Sequence, residues 1–128
     1  MKSTILGKHP MSIKRSKFYF MCTLLLLAGC AHNPDIRTSG DNVDGITSKS
    51  DKAYIDCVKD EVQSYTSTYT VENGGKTDLF IGSTNPGTTD GLVEVSSANG
   101  HSLYTAYQRD AWYDKGRLLD AAQACSRG

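Results

Sequence analysis

Histidine is scarce, three in 128 residues, and only His101 lies beyond residue 49. No His-rich metal motif can be assembled from that supply, and no zinc-helix or phosphate-cradling glycine pattern occurs. Ser102 follows His101, but neighbours on a strand point to opposite faces, so adjacency makes no nucleophile–base pair. Net basic charge is also missing. Five of the 14 basic residues (Lys2, Lys8, Lys14, Arg15 and Lys17) fall within residues 1–29, which hold no acid. The rest of the chain keeps nine basic against 14 acidic side chains, a net charge of −5. A folded part with that balance is not built to hold nucleic acid, whose phosphates need a basic field. Hydrophobic content is low at 38%, and part of it sits in one run near the N-terminus. Length allows one modest domain. Internal repeats are absent.

That run is what the sequence does have. Lys14, Arg15 and Lys17 precede Phe18-Tyr19-Phe20-Met21-Cys22-Thr23-Leu24-Leu25-Leu26-Leu27 and a small-residue exit, the layout of a secretory signal. A membrane-spanning helix needs about 20 apolar residues, and this stretch is interrupted by Cys30, His32, Asn33 and Pro34. The exit, Leu27-Ala28-Gly29-Cys30, resembles the lipobox of bacterial lipoproteins. The resemblance covers roughly residues 11–30. It implies a diacylglyceryl thioether on Cys30, cleavage before that residue and acylation of its freed amine. Met11 offers an alternative start that leaves a compact signal. Ala31 rather than Asp after the cysteine resembles the pattern of lipoproteins sent to the outer membrane. The lipid needs no protein partner to anchor the chain: each buried CH₂ contributes about 0.8 kcal/mol, and more than one acyl chain holds stably.

Residues 30–49 read as a lipidated flexible tether, with Pro34, Gly40 and Gly45 among polar residues and no apolar period. A coil of about 18 residues reaches on the order of 25 Å. The acids of Asp41-Asn42-Val43-Asp44-Gly45 have the wrong spacing for a calcium loop.

The folded domain is expected over residues 50–128. Ser50 caps a helix from Asp51 to Gln63 with Ala53, Tyr54, Cys57, Val58 and Val62 on one face. Ser64–Val71 is dense in Tyr and Thr and reads as a strand, turning at Asn73-Gly74-Gly75 into a second strand over Thr77–Gly82. Asn85-Pro86-Gly87 marks a longer loop. Gly91–Ala98 and His101–Arg109 flank Asn99-Gly100, the strongest short hairpin signal. The register follows: Ala98 opposite His101, Val95 opposite Tyr104, Val93 opposite Ala106. A last helix carries Leu118, Leu119, Ala121, Ala122 and Cys125 on its apolar stripe. The expected class is α+β: an N-terminal helix, a four-stranded antiparallel sheet of two hairpins and a C-terminal helix.

Cysteine usage divides by place. Cys22 lies in the signal and Cys30 takes the lipid, so Cys57 and Cys125 remain, each on a helix stripe in an oxidising compartment. They are expected to form a disulfide; free buried thiols are the alternative. Closing a loop of about 70 residues stabilises by roughly 4 kcal/mol in the chain-entropy model.

No catalytic residues, metal or cofactor are expected. Tyr104–Tyr113 gathers Tyr104, Tyr107, Arg109, Trp112 and Tyr113, the residue types recognition surfaces use. Either they meet a partner or the tyrosines fill a small core. The expected role is a non-catalytic binding or accessory domain of the periplasm with a protein or envelope partner, in size and acidity fitting an inhibitor or immunity-type protein. The alternative is an envelope hydrolase acting on peptidoglycan or glycan through Glu94 or His101.

Overall fold

The computed structural model describes residues 34–127, and the signal and Cys30 lie outside the described residues. The elements, in order, are α1 (Ile36–Ser39), β1 (Asp41–Thr47), α2 (Asp51–Val62), β2 (Thr68–Asn73), β3 (Lys76–Ile81), β4 (Gly91–Ala98), β5 (His101–Gln108), α3 (Ala111–Asp114) and α4 (Arg117–Cys125). The class is α+β. One fully antiparallel sheet runs in the order β1-β5-β4-β3-β2.

The expected four strands are five, and this is the main correction. Residues 41–47, read as tether, form the edge strand β1, paired with β5 from Asp41↔Gln108 to Thr47↔Ser102. Asp, Asn and Gly are poor strand formers, and apolar Ile46 faces outward while Gly45 and Thr47 face the core, so no apolar–polar alternation marks it. Tertiary pairing with β5 overrides local preference. Ile36 on α1 is fully buried beside Phe80 and Leu92. The folded domain therefore includes residues 34–49, which the sequence alone assigns to the tether. The other strand limits shift slightly: β2 starts at Thr68 rather than Ser64.

Ser50 does cap α2, its Oγ accepting from the Ala53 N–H at 3.2 Å. Tyr54, Ile55, Val58 and Val62 form the helix's buried stripe. Asn99 and Gly100 take φ of 51° and 85°, the left-handed pair a type I′ hairpin needs, and the β4–β5 register is as expected: Ala98↔His101, Val95↔Tyr104 and Val93↔Ala106.

Helices α2 and α4 cover one face of the sheet, where Leu79, Val93, Val95, Tyr104 and Ala106 meet Tyr54, Val58, Leu118 and Ala122. Tyr104 stacks against Tyr54 with centroids 5.0 Å apart, and the Tyr54 hydroxyl donates to the Ala122 carbonyl at 2.8 Å. Gly45 makes room for that ring: a Cβ there would lie 2.8 Å from the Tyr104 hydroxyl oxygen. Cys57 Sγ and Cys125 Sγ lie 2.06 Å apart, at disulfide distance, with Cα atoms 5.8 Å apart, a separation a bridge accommodates. They join the two helices of that layer. Among the described residues no helix is long and apolar enough to cross a membrane.

Candidate functional site

Two features stand out on the remaining surfaces. The first is a charged cluster at the centre of the sheet's outer face. Asp78 on β3 and Glu94 on β4 are direct cross-strand partners, and like charges so placed repel. Arg37, carried over this face by α1, donates to Glu94 Oε2 at 3.0 Å and to Asp35 at 3.2 and 3.3 Å. Lys76 Nζ stands 3.9 Å from Glu94 and Arg37 stands 4.0 Å from Asp78.

Burial, then the hydrogen bond and charge of Glu94, push the Asp78 carboxyl up to about 6. Burial acts on Glu94 in the same sense, but the hydrogen bonds from Arg37 and Asp78 and the charges of Arg37 and Lys76 outweigh it and hold Glu94 below its ordinary value. Asp78 Oδ1 is buried with no hydrogen-bond partner. A proton taken up by the pair therefore resides on Asp78 first. Tyr107 borders this cluster, half-buried against Ile36, Phe80 and Leu92, and burial raises its phenol.

The second feature is α3. Trp112 and Tyr113 are 78% and 81% exposed, edge to face with centroids 5.9 Å apart. Left-handed residues bracket the turn: Asp110 (φ 54°) before it, Lys115 (φ 60°) and Gly116 (φ 72°) after it. Buried Gln108 fixes it from below. Its Nε2 donates to Asp114 at 2.8 Å, while its Oε1 accepts from the N–H groups of Leu118 and Leu119 at the start of α4, at 3.0 and 3.4 Å. Beside the aromatics lies a hollow of about 320 Å³ bordered by Asp90, Arg109, Asp110 and Asp114. A rigid aromatic pair on an acidic rim can meet an apolar patch that carries basic groups.

The sequence-singled residues separate accordingly. Trp112 and Tyr113 stay together on the surface. Tyr104 is 5% exposed and belongs to the helical side of the core, so it presents no surface to a partner. Tyr107 faces the opposite side of the sheet, by the Arg37 cluster. Arg109 is a brace: Nε donates to the Thr89 carbonyl at 3.1 Å, and its terminal nitrogens donate to Ser39 Oγ at 2.9 Å and to the Pro86 carbonyl at 3.3 Å. It ties the β3–β4 loop to α1. His101 and Ser102 point apart, Ser102 Oγ bonding to Asp51 rather than to His101. Cys57 and Cys125 come together as expected, and Cys30 lies outside the described residues.

Sequence reasoning missed Arg37 and Asp78. A signal was there for Asp78: Lys76-Thr77-Asp78-Leu79-Phe80-Ile81 and Leu92-Val93-Glu94-Val95 each set one acid among apolar strand residues. What sequence could not supply was the register across the β3–β4 loop. Arg37 was hidden by its place in a stretch read as coil. Compared with known proteins, the chain matches no family model, no curated protein and no solved structure.

Proposed function

We propose that this protein is a lipoprotein of the bacterial cell envelope, anchored through Cys30 to the outer membrane and facing the periplasm, whose domain binds a protein or envelope component without catalysing a reaction. The observation that carries the binding role is the exposed Trp112–Tyr113 pair: two large aromatics on a turn braced at both ends and from beneath. Exposed aromatics are the anchors of recognition surfaces, and the acids around them, Asp90, Asp110 and Asp114, favour a basic partner. An inhibitor or immunity-type role is the form of binding that this size and charge support.

Two measurements test it. Mass spectrometry of the mature N-terminus should find acyl chains on Cys30, and Cys30→Ser should leave the chain unlipidated. Envelope components captured by the full chain should be lost with Trp112→Ala and kept with Leu103→Ala, which trims an exposed apolar residue elsewhere. Capture unaffected by Trp112→Ala rejects α3 as the binding site.

The Asp78–Glu94 pair supports a second reading, an envelope hydrolase, because a carboxyl pushed up to about 6 can act as an acid. Arg37 occupies Glu94, which weighs against it. Hydrolysis of peptidoglycan that Glu94→Gln abolishes would establish this reading in place of the first.

A further inference from the structure

The two edges of the sheet are not alike. An open edge presents unpaired N–H and C=O groups, and proteins blunt it with charge, glycine, proline or a bulge. β1 is blunted, with Asp41, Asp44 and Gly45 in seven residues. β2, Thr68-Tyr69-Thr70-Val71-Glu72-Asn73, has one charge, no proline and no glycine, and five of its six residues are exposed. α2 packs over β3 and β4, leaving an open groove of about 750 Å³ above β2 and β3, lined by Lys59, Thr70, Glu72 and Thr77.

The ladder fixes which groups of β2 are free. The Gly82 N–H donates to the Ser67 carbonyl at 2.9 Å, and Ser67 stands opposite Gly82 when the β2–β3 register is continued by one step. Antiparallel bonding alternates, so Tyr69, Val71 and Asn73 also bond towards β3. The N–H and C=O groups of Thr68, Thr70 and Glu72 point away from the sheet.

We propose that this edge pairs antiparallel with the β2 edge of a second copy of the chain, about a twofold axis through Thr70, so that two five-stranded sheets become one continuous sheet. The strand's own order supports a second copy as occupant. With Thr70 opposite itself, Thr68 falls opposite Glu72 of the second copy, and every outward N–H and C=O in the centre of the strand finds a partner. Tyr69 falls opposite Val71 of the second copy, and Val71 opposite its Tyr69. Both side chains are exposed on the outer face of the single chain, and aromatic with β-branched is a favourable cross-strand pair. The two Glu72 carboxylates are offset by four positions, about 13 Å along the strands, so the only charges on the edge do not meet. An isologous interface must be self-complementary, and this six-residue strand is. The inference stands apart from the α3 surface, which lies on the β5 side of the sheet.

The test uses the full chain in membranes. Thr70→Cys, treated with a short bifunctional maleimide, should give a band of twice the chain mass. Wild type and Asn42→Cys, the same change on the β1 edge, should not. Light scattering of the full chain in detergent should read two copies for wild type. Thr70→Lys and Thr70→Glu each place like charges opposite one another and should read one copy, while mixing the two variants should restore two. No doubled band from Thr70→Cys overturns the proposal, as does an adduct to a protein of different mass, or a wild type that scatters as a single copy. Dimers that Thr70→Lys and Thr70→Glu leave intact place the interface elsewhere and overturn it too.

Discussion

Asp78 faces Glu94 directly across β3 and β4, yet Arg37 bonds to Glu94 and stops 4.0 Å from Asp78. One carboxylate is thus held charged and the other is left to take the proton. Asp78 rises from 3.8 to about 6 on folding, so the native state binds the extra proton between those values. The stabilisation from that proton is fully present below the unfolded value and is lost as pH rises through about 6. Glu94, whose value is lowered, acts oppositely: its contribution is present above its unfolded value and is lost on acidification. Asp78→Asn removes the proton uptake at Asp78 and keeps a donor for Glu94. It should be more stable than wild type at pH 7.5, by on the order of 2 kcal/mol, and the difference should vanish near pH 4. Thermal melts of both proteins at the two pH values check this; an Asn variant that melts below wild type at pH 7.5 refutes it.

Gly45 and Tyr104 make the next case. The Gly45 position has the Tyr104 hydroxyl oxygen 2.8 Å and ring carbons 3.0 Å from where a Cβ would stand. Tyr104 cannot swing away, since Tyr54 stacks on it. Gly45→Ala should therefore cost about 1–3 kcal/mol, the range for overpacking. Tyr104→Phe in the same chain removes the closest atom and should recover part of the loss. Urea melts of the single and double variants read the coupling, and purely additive losses would mean the two positions do not touch.

These residues also show how much the sequence could convey. The β4–β5 hairpin was legible because Asn99-Gly100 permits one kind of turn, and the turn sets every pair along the ladder. α2 and α4 were legible from stripes of apolar residues and, for α2, the Ser50 cap. β1 was not, because its evidence lies in another element: Gly45 is needed only once Tyr104 is known to lie against it. Glu94 was singled out, but its neighbours Arg37 and Asp78 were hidden for the same reason. They become a cluster through a register set across the β3–β4 loop, and no local pattern encodes it. Trp112 and Tyr113 were visible as composition, but whether they filled the core or faced solvent depended on the left-handed residues bracketing α3.

Cys57 and Cys125 close a long loop between α2 and α4, the two helices of the covering layer. Cross-linking such a loop restricts the unfolded chain, and removing a bridge of this kind from a small domain costs about 2–5 kcal/mol. Mass spectrometry should find the chain two mass units lighter than its reduced form. Replacing both cysteines by Ala should lower the melting temperature to nearly that of the reduced wild type. Equal melting temperatures for oxidised and reduced protein would remove the bridge from the stability of the fold.

Trp112 gives the sharpest separation of stability from binding. At 78% exposure its described aromatic contact is Tyr113, itself on the surface, so the core loses nothing when the indole is cut away. Substitutions at such positions change stability by within about 0.5 kcal/mol. Trp112→Ala should melt with wild type in the same buffer. Ala111, by contrast, is buried under α3, and Ala111→Asp should unfold the turn, lowering stability and binding together. A binding role for α3 requires that Trp112→Ala lose the partner while its melt is unchanged, with affinity falling about thirtyfold or more if the indole is an anchor, since truncating such a residue costs about 2 kcal/mol or more. A Trp112→Ala melt well below wild type would instead mean that the indole supports the fold, and the loss of partner would then say nothing about recognition.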